Sequence, residues 1–400
     1  MIRIEFVLFG VTLLGVAVFH RHTLWIALSG LLVITAYKVL FGDFHGQPGL
    51  IGLEWHLLEE WVIVANLFAL LVGFALLSRH FEESHVPKLL PRFLPDDWKG
   101  GVVLLAMVFL LSAFLDNIAA AMIGATVAAA VYRNKLHIGF LAAIVAASNA
   151  GGSGSVLGDT TTTMMWLDGV APVDVLHAYV AAVAAFIVFA IPAAKQQQRF
   201  SPIEKDNAAT VAVDWPRLIV VLIILLGAIG ANIYANQLPE EQSGAFPYIG
   251  ATVIGTLLFL TPWRRPDWRA VPAAVKGSVF LLSLVLAASM MPVEQLPPAS
   301  PQTTLGLGFV SAVFDNIPLT KLALEQGGYD WGALAYAVGF GGSMLWFGSS
   351  AGVAVSNLFP EAKSVGQWLR EGWHVAMGYV VGFIVLMTIL GWHPHAPHRL

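Results

Sequence analysis

Cysteine is absent from the chain, so disulfides, iron–sulfur clusters and thiolate zinc sites are excluded. Charge is scarce as well. Only 12% of the residues are Asp, Glu, Lys or Arg, against about 25% in an ordinary soluble domain. The formal net charge of -4 carries no basic excess, and no basic patch suggests nucleic acid. What fills the chain instead is apolar: 57% of its 400 residues are hydrophobic, and the mean hydropathy is +0.74. Apolar runs of about 20 residues recur from end to end, the length a helix needs to cross hydrocarbon. The composition implies an all-α polytopic membrane protein with the lipid bilayer as its first partner. The first run, Phe6 to Phe19, is followed by His20-Arg21-His22 rather than by small residues. It reads as a retained helix, not a signal peptide.

The apolar pattern predicts spans over 5–19, 23–41 and 61–78, then an amphipathic stretch over 79–99. A long segment over 100–131 is interrupted by Asp116-Asn117, and 138–167 is broken by glycines, with a further helix over 174–194. A polar linker, 195–216, follows. The pattern then restarts with 217–236, 246–262 and 275–291, a segment 303–326 interrupted by Asp315-Asn316, a glycine-broken 332–355, and 373–391. The restart is a repeat. Ser112-Ala113-Phe114-Leu115-Asp116-Asn117-Ile118 answers Ser311-Ala312-Val313-Phe314-Asp315-Asn316-Ile317. Gly151-Gly152-Ser153 with Gly158 answers Gly341-Gly342-Ser343 with Gly348 at the same spacing. Two motifs in the same order in both halves divide the chain into a first repeat over 1–194, a cytoplasmic linker over 195–216, and a second repeat over 217–400. Interrupted helices in matching positions mark the substrate site of a secondary transporter.

Loop charge sets the topology. If each Asp-Asn segment is a re-entrant hairpin, one side collects Arg21, the basic residues of 79–99, Arg133, Lys135, Lys195, Arg199, Lys205, Arg264, Arg265, Arg269, Lys276, Lys363 and Arg370. The other side, 42–60, 168–173, 237–245 and 292–302, has no Lys or Arg. This is the positive-inside pattern, with Arg3 as its exception. The expected count is ten spans plus two hairpins, five spans per repeat, which inverts the second copy.

Ionisable groups inside a membrane are costly and are functional by default, and irregular backbone at that depth must line a cavity or lie within protein. Asp116, Asp159 and Asp315 meet both conditions. The bland alternative for each is a buried cap on the helix that follows. The first break reads Ser148-Asn149-Ala150-Gly151-Gly152-Ser153-Gly154-Ser155, then Gly158-Asp159-Thr160-Thr161-Thr162-Thr163. Glycines let the backbone approach a ligand, and the side chains bring oxygens that suit a hard cation. Close helix packing through small residues is the alternative there. The second copy keeps hydroxyls at Ser343, Ser349 and Ser350, with Ser349 in the place of Asp159.

The stretch AASNAGGSGSVLGDTTTTMMW, Ala146 to Trp166, resembles the signature of NhaD-type sodium/proton antiporters, members of the superfamily that also holds arsenite permeases and citrate or dicarboxylate carriers. SAVFDNIPL, Ser311 to Leu319, and GGSMLWFGSSAGVA, Gly341 to Ala354, resemble that family's second-half motifs. The resemblance implies a homodimer in the bacterial inner membrane. In it a scaffold holds a mobile domain, carrying both hairpins and both broken helices, that moves the ion elevator-fashion. It implies no cofactor, with Na+ and H+ as cargo. It puts ion-binding positions at Asp116, Asn117, Asn149, Ser153, Asp159, Thr160, Asp315, Asn316, Ser343, Ser349 and Ser350.

Lys321, about a turn and a half past Asp315, either pairs with Glu325 and snorkels outward or neutralises Asp315 and modulates the site. Two or three buried Asp suit sodium and protons and repel a dianion such as citrate. A proton- or sodium-coupled permease for arsenite or an anion is the second reading. The third is an intramembrane serine protease, from Gly151-Gly152-Ser153-Gly154, which would need a histidine partner such as His177 or His374. His393, His395 and His398 read as an exposed tail that could bind metal, and Glu54, Glu59 and Glu60 as a solvated rim. Trp55, Trp61, Trp263, Trp268 and Trp392 read as interfacial aromatics.

Overall fold

The computed structural model describes residues 3–19, 22–44, 46–204, 212–239, 242 and 245–395. Arg21, Lys205 and His398 lie outside them. Among the described residues the protein is helical, apart from one two-residue antiparallel pair, Asp43–Phe44 with Gln47–Pro48. The apolar runs become helices because only a helix satisfies its own backbone in lipid. Their outer faces stay apolar: Trp25, Leu32, Leu40, Leu222, Leu226 and Phe259 are all exposed. In water this would be an aggregation surface; in a bilayer it is the expected coat. Trp55, Trp61, Trp263 and Trp268 are also exposed.

Among the described residues, five stretches are long and apolar enough to cross: Thr23–Phe41, Gly49–Glu83, Pro172–Phe200, Trp215–Ala235 and Trp268–Ser289. Val365–Glu371 and Trp373–Ile389, bent by 61° at their junction, make a sixth. The ten spans expected from sequence also include single helices of fewer residues, such as Ile4–Val18 and Tyr248–Leu260. One boundary differs widely from expectation. The span expected over 61–78 is the middle of a 35-residue helix, Gly49–Glu83. At 1.5 Å per residue this helix is about 52 Å long, beyond the roughly 30 Å of hydrocarbon. Its N-terminal part takes in Glu54, Glu59 and Glu60. The linker is also shorter than read, since its first residues continue the helix Ala178–Phe200.

Both Asp-Asn interruptions are real. Trp98–Ser112 gives way to Asn117–Val131, and Pro301–Ser311 to Asn316–Gln326. The two helices of the first pair lie against each other, whereas those of the second contact one another far less. Both glycine-rich segments break as well: Ile138–Ser153 restarts at Thr160–Leu167, and Trp331–Gly341 passes through a 3-10 turn, Gly342–Met344, before Ser350–Leu358.

Glycine at these breaks is required by contact. A Cβ at Gly151 would overlap the Phe109 carbonyl, and one at Gly341 the Gly308 carbonyl. Phe109 and Gly308 each stand seven residues before the Asp of their own half. The repeated sequence therefore builds the same close approach twice. Around these elements, Gly49–Glu83 packs with Trp215–Gln237, Tyr248–Leu260 and Val271–Ser289, while Ile138–Ser153 packs with Trp98–Ser112, Ala178–Phe200 and Trp331–Gly341.

Candidate ion site

The two breaks meet the two Asp-Asn tips in the interior. Asp159 is 2% exposed. It precedes Thr160–Leu167, yet its carboxylate makes no cap bond to that helix. Instead it accepts from two asparagines: Asn117 Nδ2 at 3.0 Å, and Asn316 Nδ2 at 3.5 Å and 3.4 Å to its two oxygens. One asparagine comes from each tip. Asn117 Nδ2 also donates to Asn149 Oδ1 at 3.1 Å, and Asn149 Nδ2 donates onward to Ser343 Oγ at 2.9 Å and Ser349 Oγ at 3.1 Å. Asn117, Asn149, Asp159, Asn316, Ser343 and Ser349 are thus one buried network drawn from both halves. Trp368 closes its far side by donating its indole N–H to the Ser343 carbonyl.

The other expected residues stand beside this network. Asp315 does cap its helix, accepting from Ile317 N at 3.1 Å, and its second oxygen accepts from Ser350 Oγ at 3.4 Å. The capping alternative therefore describes part of what Asp315 does; Asp159 also sits by the Thr160 and Thr161 N–H groups, but its bonds of full geometry go to the two asparagines. Ser349 combines both, accepting from Gly352 N at 3.2 Å as well as from Asn149. Ser153 is buried but donates to Ala150 O of its own helix at 2.8 Å, so its hydroxyl hydrogen is turned from the network.

A cavity of about 200 Å³ opens on the site. Asp116, Asp159, Thr160, Thr163 and Ser350 form its polar wall, and Ser278 adds a hydroxyl from the opposite side. The facing wall is apolar, with Leu67, Leu70 and Phe74 of the long helix and Leu281 of Val271–Ser289. Carboxylate and hydroxyl oxygens around a small void match the donor set of a hard cation. Thr163 ends the threonine run after Asp159 but was not among the expected ion-binding positions; Ser278 has no signal in the sequence. Gly339 was missed too: a Cβ there would lie 3.0 Å from Asp159 Oδ2.

Lys321 pairs with Glu325, as one sequence reading had it, with Nζ 2.5 Å from Oε1. It does not snorkel outward, however. Its side chain is 1% exposed, and Nζ also donates to both Glu60 oxygens at 3.0 Å and 2.9 Å. Glu60 is therefore no solvated rim residue; it too is buried. Of the tail histidines His393 is exposed, as expected, while His395 is half-buried, and both are tied to the fold. His393 N donates to Asp330 Oδ2, and His395 stacks on Trp331 and approaches Asp174 at 3.7 Å. Among the described residues, no group of three or more His, Asp or Glu is placed to hold a metal. The protease reading fails on geometry: Ser153 bonds its own helix, while His374 Nε2 meets Gln196 Oε1.

The citrate transporter family matches residues 6–341. Sodium/proton antiporter 1 of Arabidopsis thaliana is 27% identical over 344 residues, 75% of this chain and 56% of that protein. Sodium/proton antiporter 2 of the same plant is 25% identical over 381 residues, 85% of each chain. The Na(+)/H(+) antiporter NhaD of Vibrio cholerae is 24% identical over 334 residues, 71% of this chain and 69% of that protein. The chain thus spans just over half the length of the first of these relatives and more of the other two. With its apolar-coated helices and a match covering most of its length, this multi-pass membrane protein belongs to the citrate transporter family and is a secondary transporter rather than an enzyme.

Proposed function

We propose that the protein exchanges sodium ions for protons at Asp159, with Asp116 and Asp315 as accessory carboxylates. The observation that carries this reading is the convergence of asparagines from both tips on one buried carboxylate beside a small cavity with carboxylate and hydroxyl oxygens on one wall. A carboxylate holds either a proton or a cation, so the two cargoes compete for one group. If the empty, ionised site cannot cross the membrane while the loaded site can, exchange follows without a cofactor. Asn117, Asn149, Asn316, Thr160, Ser343, Ser349 and Ser350 supply neutral oxygens or orient those that bind.

The movement we infer is of elevator type, in a homodimer in the bacterial inner membrane. The repeats over 1–194 and 217–400 lie inverted, and the two Asp-Asn pairs form re-entrant hairpins. The mobile part comprises these hairpins and both broken helices. The cavity lies where that part faces Gly49–Glu83 and Val271–Ser289, the place at which such a slide would occur. By the positive-inside pattern the start of Val271–Ser289 is cytoplasmic. Ala273, Ala274 and Gly277 line the cavity, so it faces the cytoplasm.

An anion carrier would need a cation at the site. Lys321 is held by Glu60 and Glu325 instead, which favours a cationic cargo. The test is purified protein in liposomes carrying a pH dye, given sodium, lithium, potassium, citrate and arsenite in turn. Sodium or lithium should discharge a preset proton gradient, and citrate and arsenite should not. A response to citrate or arsenite with none to the alkali cations would overturn the assignment. Single cysteines at Phe200 and Pro262 should be shielded from an impermeant external thiol reagent, and those at Ala171 and Pro298 labelled. Labelling of all four from one side would end the inverted topology.

A further inference from the structure

The long helix Gly49–Glu83 touches the mobile part at two levels. Leu67, Leu70, Leu71, Phe74 and Ala75 line the cavity. Glu60 lies seven to fifteen residues earlier on the same helix, about 10 to 22 Å toward the other end at 1.5 Å per residue. There its carboxylate meets Lys321 of the second Asp-Asn pair, at 2.9 Å and 3.0 Å. The cavity on the site is therefore matched, toward the other end of the long helix, by a buried ion pair, beside a second, apolar cavity of about 450 Å³ that Glu60 also lines. By loop charge, the cavity side is cytoplasmic and the ion-pair side is external.

The two acceptors of Lys321 are not equivalent. Glu325 is on the same helix, Asn316–Gln326, one turn away, and travels with Lys321 however that helix moves. Glu60 is on a different body, the long helix packed with Trp215–Gln237 and Tyr248–Leu260. Sliding the second Asp-Asn pair along the long helix keeps one ion pair and breaks the other. At the position matching Lys321 the first half has Met122, so the first pair, on the cytoplasmic side, has no such bond to make.

We propose that the Glu60–Lys321 ion pair is an external latch: it holds the transporter open to the cytoplasm and must open before the site can face outward. The inference rests on the elevator reading above and adds to it the bond that sets the resting state. A buried charge pair is direction-specific and costly to break when one partner is removed, so a single pair can bias a two-state equilibrium.

The chain's lack of cysteine makes the test clean. Ala274→Cys places a thiol on the cavity wall, and its labelling rate by an impermeant maleimide in inverted vesicles reports how long the cavity faces the cytoplasm. In the parent this rate should change on adding sodium. Glu60→Gln keeps the shape and removes the charge; it should slow labelling by about threefold or more, the direct readout of a population shift. Lys321→Gln should do the same. The double variant should be no slower than Lys321→Gln alone, because the Glu60–Lys321 bond is already lost in that variant. Glu60→Asp, which retains the charge on a shorter stem, should fall between parent and Glu60→Gln, and size-exclusion profiles verify that each variant is folded. A parent rate that responds to sodium, with Glu60→Gln indistinguishable from it, would overturn the latch alone. A parent rate indifferent to both sodium and pH would overturn the elevator reading, and the latch with it.

Discussion

At the break of the first interrupted helix stands Asp159; at the matching position of the second stands Ser349. Ten residues earlier the first half has Asn149 and the second has Gly339. The backbone is shared, down to the glycines pressed on the Phe109 and Gly308 carbonyls, but the polar load is not. The first half supplies the larger side chains and the second leaves room for them: Asp159 Oδ2 lies where a Cβ at 339 would crowd it, and Asn149 reaches across to Ser343 and Ser349. A duplicated unit normally offers two equivalent sites. Here the two breaks meet in one asymmetric network, with the Asp159 carboxylate, buried but bordering the cavity, at its middle.

The hardest blow to that asymmetry is Asp159→Asn. The change keeps the shape and removes the charge for which sodium and protons compete. Sodium-driven proton movement in liposomes should fall by about 100-fold or more, the loss expected when an essential charge-bearing group is removed from a site. Asp116→Asn should come close, since its carboxylate shares the cavity wall. Asp315→Asn should retain measurable exchange, because part of that carboxylate's role is to cap Asn316–Gln326. Equal loss at Asp159 and Asp315 would restore two equivalent sites and break the comparison.

That ranking could not be read from sequence. The repeated Asp-Asn motif made Asp116 and Asp315 the evident pair, and both breaks fell where the glycines and the Asp-Asn pairs indicated. Asp159 has no acidic counterpart in the second half, so repetition undervalued it. Its position at the centre depends on where two asparagines 199 residues apart come to rest, which only the packing fixes. Glu60 was misread for a similar reason. Three acids before an apolar run look like a wet rim, and nothing local announces that Lys321, 261 residues away, comes to bury one of them. Helix 49–83 was cut short because its first turns hold those acids and a histidine, which broke the apolar pattern without breaking the helix.

A smaller effect is expected at Gly339. In Gly339→Ala the new methyl would lie 3.0 Å from Asp159 Oδ2, closer than ordinary contact, so the carboxylate must yield by a few tenths of an ångström. Pre-organised oxygens lose binding strength when displaced, and the sodium concentration for half-maximal exchange should rise by about tenfold. Half-maximal exchange measured at two pH values sharpens this. Because protons compete for the same carboxylate, acidification should raise the sodium requirement in both parent and variant. A tenfold rise that vanishes at the higher pH would mean that the methyl had altered proton binding alone.

The smallest effects separate two serines that the motif makes identical. Ser153 and Ser343 each close a Gly-Gly-Ser triplet, 190 residues apart. Ser153 donates to a carbonyl of its own helix, so its loss leaves one last-turn carbonyl short of a donor but removes no bond from the network around Asp159. Ser153→Ala should therefore change sodium affinity by less than about twofold, the scale of an ordinary side-chain deletion away from any partner. Ser343 instead accepts from the Asn149 amide. Removing it leaves a buried N–H with Ser349 as its remaining side-chain acceptor. A lost buried bond with partial replacement costs about 1 kcal/mol, and the tilt of Asn149 would pass to Asn117 and so to Asp159. Ser343→Ala should lower thermal stability by a few degrees and weaken sodium binding about threefold to fivefold, both measurable on purified protein by thermal shift in a sodium titration. If the two serine variants behaved alike, the first-half and second-half triplets would be interchangeable, and the one-sided network around Asp159 would not be what binds the ion.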